Sequence, residues 1–239
     1  MKNTLFTSIV FISLFFANTS AFAQKFVNPV LDFSGKKTSY LTKDDGTEIT
    51  GNVKGIKWKK GGIKEIKMID LQNKKVKIKP AEVKFMYLPP STLSKLAQAQ
   101  NLLYDATSWG NTDLKKDILK KGYVYYEKSD IRNNKKTFTL IMQLINPSFA
   151  SEIKVYHDPT AKETSSTSIG RMKLAGGEAK SYYIKKAGDK VARILKKKHY
   201  KSEFKMLFSD CPSLIEKYGA NPKWADLEQH IYEYTTSCE

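Results

Sequence analysis

The chain is poor in the residue patterns that carry most enzyme chemistry. It has two cysteines and three histidines, and arginine is rare among its 41 basic residues. The histidines, His157, His199 and His230, stand far apart, in none of the spacings of zinc enzymes, and no calcium-binding loop is present. Glycine-rich phosphate loops and the serine motifs of hydrolases are also missing. We therefore expect a non-enzymatic protein without a metal or cofactor.

Long apolar runs are missing too, except at the N-terminus. Residues 5–17 are almost entirely apolar, Lys2 precedes them and Ala21-Phe22-Ala23 follows. This order is typical of a secretory signal peptide, whereas a membrane-spanning helix needs about 20 apolar residues. We predict that residues 1–23 are a signal peptide and that the mature chain has no transmembrane segment. The protein is then exported, and is periplasmic, outer-membrane-associated or secreted.

The charge balance is strongly one-sided. The formal net charge is +17, and removal of residues 1–23, whose single charge is Lys2, leaves +16. Such an excess attracts anionic partners over long distances. Outside the cytoplasm these are lipid head groups, lipopolysaccharide, acidic glycans or released nucleic acid. The alternative is that the lysines, which are spread along the chain, serve only solubility.

The two cysteines, Cys211 and Cys238, predict one disulfide, because an exported chain folds in an oxidising compartment. The bridge would close a C-terminal loop and contribute about 3–4 kcal/mol. The alternative is a free Cys211 thiolate at a helix start, with His199 or His230 as its base.

Turn signals divide the mature chain into residues 24–90, 91–122 and 123–239. The first part predicts five short strands in a basic barrel of the SH3-like or Sm-like kind. Asp45-Gly46 marks its first hairpin, and Gly51 and Gly55 mark a bulge. The strands are predicted at 38–42, 49–58, 63–69, 75–79 and 83–88.

The rest of the chain predicts a helical connector and an α+β domain. Connector helices are expected at 91–104 and 113–121. Strands are expected at 123–127, 137–145, 152–157, 171–174 and 179–184, with a polar loop at 161–168. Helical spacing and caps then predict helices from Asp189 to Phe208, from Cys211 to Gly219 and from Asn221 onward.

Lysine alternates with apolar residues throughout the predicted barrel, where residues 36–84 hold a large excess of lysine over acid. Because alternate strand residues face opposite sides, these lysines are expected on the outer surface. We predict an anionic-partner surface formed by Lys54, Lys57, Lys59, Lys60, Lys64, Lys67, Lys75 and Lys77. With Trp58, Phe85 and Tyr87 as stacking rings, the same unit is alternatively a nucleic-acid-binding Sm-like module, although an exported protein meets little nucleic acid.

A second alternative is a cell-envelope hydrolase that uses Cys211 or His157. His157-Asp158 ends a predicted strand, a position where catalytic groups often lie. The same pair before Pro159 also fits a simple turn. The first hypothesis remains an exported, non-enzymatic protein that binds an anionic partner or another protein.

Three stretches resemble a group of uncharacterised exported proteins of Bacteroidota-type bacteria. They are Asp45-Gly46-Thr47-Glu48-Ile49-Thr50-Gly51 with Ile56-Lys57-Trp58, then Gly176-Gly177 with Lys180-Ser181-Tyr182-Tyr183-Ile184-Lys185-Lys186, and Phe204 to Pro212. The resemblance implies an envelope or secreted location. It implies no activity and no functional residues.

Overall fold

The protein is described by a computed structural model over residues 26–59, 62–92, 94, 114–133, 136–162, 166–169, 172–176 and 178–238. Within these ranges it forms twelve strands and four α-helices. The strands are β1 (Ser39–Lys43), β2 (Glu48–Lys59), β3 (Gly62–Asp70), β4 (Lys75–Ile78), β5 (Val83–Leu88), β6 (Val124–Asn133), β7 (Lys136–Gln143), β8 (Ile153–His157), β9 (Ser166–Ile169), β10 (Met172–Gly176), β11 (Ser181–Lys186) and β12 (Ala192–Lys196). The helices are α1 (Lys116–Lys120), α2 (Tyr200–Leu207), α3 (Pro212–Tyr218) and α4 (Leu227–Ser237). The expected signal peptide and nearly all of the expected helix at 91–104 lie outside the described residues.

The main feature is one open, mixed sheet of ten strands, so the predicted small barrel is wrong. The sheet order is β4-β3-β2-β1-β5-β6-β12-β11-β8, with β7 also paired to β6. A five-stranded barrel needs its two outer strands to curl back toward each other. Here the free edge of β5 is taken by β6, through pairs from Phe85↔Glu127 to Leu88↔Val124, and β4 forms the end of the sheet.

The five strands predicted within residues 24–90 are nonetheless present, close to their predicted bounds. Asp45 makes the first turn, because its carboxylate accepts a hydrogen bond from the Thr47 amide at 2.9 Å and Gly46 has a φ of 84°. The β2–β3 pairing shifts register between Val53 and Gly55, which confirms the predicted bulge. Gly51 lies against β3, where a Cβ would be 2.2 Å from the Ile69 carbonyl oxygen.

The clearest difference from the prediction in the C-terminal part lies at β12. Residues 192–196, expected to lie in a helix that begins at Asp189, instead form this strand, which pairs antiparallel with β11 and parallel with β6. Asp189 caps the turn before β12, since its carboxylate accepts from the Lys186 amide at 3.1 Å and Gly188 has a φ of 84°. An Asp near Gly favours a hairpin turn as readily as a helix cap. The expected polar loop at 161–168 also contains the start of β9, which pairs with β10.

The core consists of three groups of buried side chains. The first, beneath β1–β5, is mainly aliphatic and includes Leu41, Ile66 and Met86. The second covers the opposite face of β5–β8 and is rich in tyrosine. The third packs α2, α3 and α4 against the β8–β11–β12 end of the sheet, with Phe204 and Phe208 fully buried.

The predicted disulfide is confirmed. Cys211 and Cys238 are bonded, with their Cα atoms 5.3 Å apart, and the bridge ties the start of α3 to the end of α4. No described helix has both the length and the apolar character required to traverse a bilayer.

Candidate functional site

Four of the predicted lysines share one exposed face of the β2–β3–β4 end of the sheet. We call Lys57, Lys67, Lys75 and Lys77 the lysine face. Lys67 and Lys77 are Cα partners, and each lysine follows the outward parity of its strand while Ile66 and Ile78 point into the core. The face therefore exists because lysine alternates with aliphatic residues whose burial sets the strand orientation.

One carboxylate, Glu65, lies within the lysine face. Its Oε1 is 3.2 Å from Lys57 Nζ and 4.0 Å from Lys67 Nζ. The contact with Lys57, followed by the charges of Lys67 and Lys77, lowers the pKa of Glu65. Lys75 and Lys77 form no ion pair with any residue that the structure describes. Four lysines and one glutamate leave this face with a net charge of +3.

The other predicted lysines do not join this face. Lys54 lies at the bulge and donates to the Gly35 carbonyl oxygen at 2.6 Å. Lys64 is the extra residue where the β2–β3 register shifts a second time, and its side chain is exposed. Lys60 and the side chain of Lys59 lie outside the described part of the chain.

The aromatic residues of the nucleic-acid hypothesis pack in the core instead of forming a stacking surface. Trp58 packs against the aliphatic cluster and Phe85 against the tyrosine-rich cluster. Tyr87 is 2% exposed, and its hydroxyl accepts a hydrogen bond from the Lys115 amide at 2.9 Å. Tyr87 is therefore buried and Trp58 and Phe85 are half-buried by core contacts, so the three rings do not form the exposed stacking surface that the nucleic-acid hypothesis needs.

The residues of the hydrolase hypothesis also have structural roles. Cys211 is 1% exposed and disulfide-bonded, which removes its thiol from nucleophilic chemistry. Asp158, next to His157, is buried and accepts hydrogen bonds from the Thr160 amide, the Thr160 hydroxyl and the Ser181 hydroxyl at 2.6–2.9 Å. These bonds hold the turn after β8 and leave the carboxylate little capacity to orient His157.

His230 is a core histidine on α4. It is 0% exposed, its Nδ1 is 2.7 Å from the Tyr200 hydroxyl, and its ring lies 4.3 Å from that of Tyr218. Its Nε2 has no hydrogen-bond partner among the described residues. Burial is the main cause that lowers the pKa of His230 to about 4, so the imidazole is neutral at physiological pH.

A cleft of about 550 Å³ opens beside β5 and β6, and Glu127 lies in it. The Glu127 carboxylate accepts from Lys154 Nζ at 2.8 and 3.0 Å, from the Tyr156 hydroxyl at 2.5 Å and from the Tyr125 hydroxyl at 3.2 Å. Burial, followed by the charge of Glu127, raises the pKa of both tyrosines, so both remain neutral donors. A carboxylate has about four acceptor positions, and these four hydrogen bonds use all of them. Glu127 therefore links β6 to β8 and has no acceptor position left for a ligand.

Sequence reasoning missed a second basic group. Arg132 on β6 and Arg193 on β12 are Cα partners in the parallel pairing of these strands, and both line a cavity of about 510 Å³. The signal that could have found them is the scarcity of arginine in a lysine-rich chain. Their adjacency depends on the pairing of two strands distant in sequence, which no local pattern predicts.

The stretches that carry the family resemblance have structural roles. Asp45-Gly46 forms the β1–β2 hairpin. Lys186, from the second stretch, donates to both carboxylate oxygens of Asp210, from the third, at 2.8 Å, and the Tyr234 hydroxyl donates to Asp210 at 2.7 Å. These contacts hold β11 against α4. No protein-family model, curated protein or solved structure matches the chain, so the resemblance stays a prediction.

Proposed function

We propose that this protein is an exported, non-enzymatic binding protein that holds an anionic partner on the lysine face. The partner is an acidic glycan or lipopolysaccharide outside the cytoplasm. The proposed location rests on the sequence of residues 1–23, and the disulfide between Cys211 and Cys238 supports it because such bridges persist in oxidising compartments.

The observation that carries the proposal is the pairing of Lys67 with Lys77. Like charges directly opposite each other on neighbouring strands destabilise a sheet. Glu65 already interacts with Lys57 and Lys67, and no described carboxylate forms an ion pair with Lys77. An anionic partner would neutralise the repulsion between Lys67 and Lys77. The removal of this repulsion would add to the binding free energy.

A structural role for the same lysines is the competing explanation. β4 is the outer strand of the sheet, and lysines on edge strands prevent pairing with other chains. That role concerns β4 alone, however. It does not account for Lys57 and Lys67, which lie on the interior strands β2 and β3.

The test is retention of the disulfide-intact protein on beads that carry lipopolysaccharide or an acidic glycan. We expect retention at low salt and release as salt screens the charges. A variant with glutamine at Lys57, Lys67, Lys75 and Lys77 should elute at much lower salt than the wild type.

The matched control carries glutamine at four exposed lysines outside the lysine face, Lys120, Lys162, Lys180 and Lys223. It changes the net charge by the same amount. If both variants lose retention equally, general charge explains the binding and the lysine face is not a site. If the wild type passes through both columns at low salt, the proposed function is wrong.

A further inference from the structure

Two of the three arginines in the chain are direct neighbours. Arg132 and Arg193 are Cα partners in the only parallel pairing found among the described strands. Two like charges side by side repel each other, and exposed lysines would serve solubility equally well. The distinctive property of arginine is its planar fork of N–H donors, which matches the oxygens of phosphate and carboxylate groups.

The cavity around the pair holds one further cation and one carboxylate. Lys196 and His199 line it together with the two arginines, and Glu203 supplies the carboxylate. Arg193 Nη1 donates to Glu203 Oε2 at 2.6 Å, which fixes the Arg193 side chain against α2. Arg132 is exposed and forms no ion pair with a residue in the described ranges.

Within the described part of the chain, Glu203 is the one residue that accepts a hydrogen bond from a guanidinium of this pair. A guanidinium has five N–H donors, and the bond to Glu203 uses one of those of Arg193. Arg132, Arg193 and Lys196 against Glu203 give a net charge of +2. A phosphate monoester carries a charge of about −1.5 to −2 at neutral pH, so it matches the cavity in charge, and its oxygens suit the N–H donors of arginine.

We propose that Arg132 and Arg193 form a binding site for a phosphate group, either free or carried by a lipid head group. Arg193, held by Glu203, is the fixed half of the site, and Arg132 supplies the second fork. The site is separate from the lysine face and does not require it.

The test is NMR titration of the disulfide-intact protein with inorganic phosphate at constant ionic strength. Because the chain has three arginines, the Nε–Hε region of a ¹H–¹⁵N spectrum should contain three cross-peaks. The variants Arg132→Lys and Arg193→Lys assign two of them by loss of a peak. We expect the Arg132 and Arg193 peaks to move in a saturable way with phosphate and not with chloride.

The Arg132→Lys variant keeps the positive charge and removes the planar guanidinium with its paired N–H donors. We expect it to weaken phosphate binding by about tenfold or more, the usual loss when a hydrogen bond to a charged group is removed. A Lys67→Gln, Lys77→Gln variant should bind phosphate as the wild type does, whether or not the glycan experiment succeeds. An Arg132→Lys affinity equal to that of the wild type, or the absence of a saturable shift, overturns the proposal.

Vesicles distinguish the two sources of phosphate. Phosphatidylcholine vesicles with and without phosphatidic acid, which exposes a phosphate monoester, are floated with the wild type and with Arg132→Lys. Flotation that needs both phosphatidic acid and Arg132 assigns the site to lipid head groups. Binding of inorganic phosphate without flotation assigns it to free phosphate, and failure of both overturns the site.

Discussion

The lysine face at the β1–β5 end of the sheet and the C-terminal helical region use charge in opposite ways. At the β1–β5 end, aliphatic side chains fill the core and the lysine face points to solvent with one carboxylate among four lysines. In the C-terminal region, charged groups join elements: Lys186 to Asp210, Arg193 to Glu203 and Lys217 to Glu233. An aromatic core and the disulfide complete that region.

This difference separates stability from binding. Ion pairs between elements of the folded chain hold those elements together, and Arg193 still has donors to spare because its bond to Glu203 uses one of five. Charges that repel each other on a surface weaken the fold slightly and are available to a partner. We therefore expect substitutions in the C-terminal region to lower stability, and substitutions on the lysine face to alter binding without unfolding the protein.

The largest effect should come from the disulfide. Replacement of Cys211 and Cys238 by serine should lower the free energy of unfolding by about 3–4 kcal/mol, because the unfolded chain gains the entropy of an open loop. Urea denaturation measures this loss. Wild-type protein under reducing conditions should match the variant, and a variant as stable as the oxidised wild type would contradict the prediction.

The aromatic core should make the protein sensitive to acid through His230. The pKa is about 4 in the folded state, against an ordinary value of about 6.5 in the unfolded state. Between these pH values the unfolded state binds the proton and the folded state does not, so stability falls as the pH drops from 6.5 to 4. We expect a loss of about 3 kcal/mol over this window.

A His230→Phe variant should lose this part of the pH dependence, as measured by urea denaturation at several pH values. His199→Gln, at an exposed histidine, is the control and should retain it. If His230→Phe and the wild type lose stability in parallel between pH 6.5 and 4, then His230 is not the cause.

Glu127 tests whether paired charges also stabilise the sheet between the two regions. Glu127→Ala leaves two buried tyrosine hydroxyls and Lys154 without their acceptor, and should cost about 2–3 kcal/mol. The control is Glu82→Ala, which removes an exposed partner of Lys43 and should cost less than about 1 kcal/mol. If the two variants lose equal amounts of stability in thermal or urea unfolding, the hydrogen bonds of Glu127 stabilise the fold no more than an exposed ion pair does.

The smallest effect on stability should come from the lysine face. Lys67→Gln with Lys77→Gln removes a pair of like charges that lie opposite each other, so stability should stay the same or rise by up to about 0.5 kcal/mol. The gain should shrink at high salt, where the charges are screened. A loss above about 1 kcal/mol would mean that these lysines support the fold, and the contrast between the two regions would fail.

Much of the local structure could be predicted. Asp45-Gly46, the alternating lysines and the glycines near Val53 predicted the first hairpin, the strands and the bulge, because turns and strand faces depend on neighbouring residues. The prediction failed at Asp189, where the same capping chemistry serves a hairpin turn. It failed for the barrel because the partner of the free β5 edge is β6, which is separated from Leu88 by 35 residues of the chain.

The candidate sites likewise include one that local sequence patterns predict and others that depend on contacts between distant strands. The lysine face follows from alternation within β2, β3 and β4, and its four members were among the eight lysines predicted to share one surface. The pairing of Arg132 with Arg193 depends on β6 and β12 meeting in parallel, and the saturation of Glu127 depends on Lys154 and Tyr156 from β8. Contacts between distant strands leave no mark in local periodicity.

The sequence by itself determined the positive charge, the alternation that turns lysines outward and the cysteine pair that forms the bridge. Each depends on composition or on neighbours within a few residues. The tertiary structure decided that the strands form one open sheet, that residues 192–196 are a strand and that two arginines lie side by side. These outcomes follow from which strand edges meet, and edge pairing is a competition among all strands of the chain.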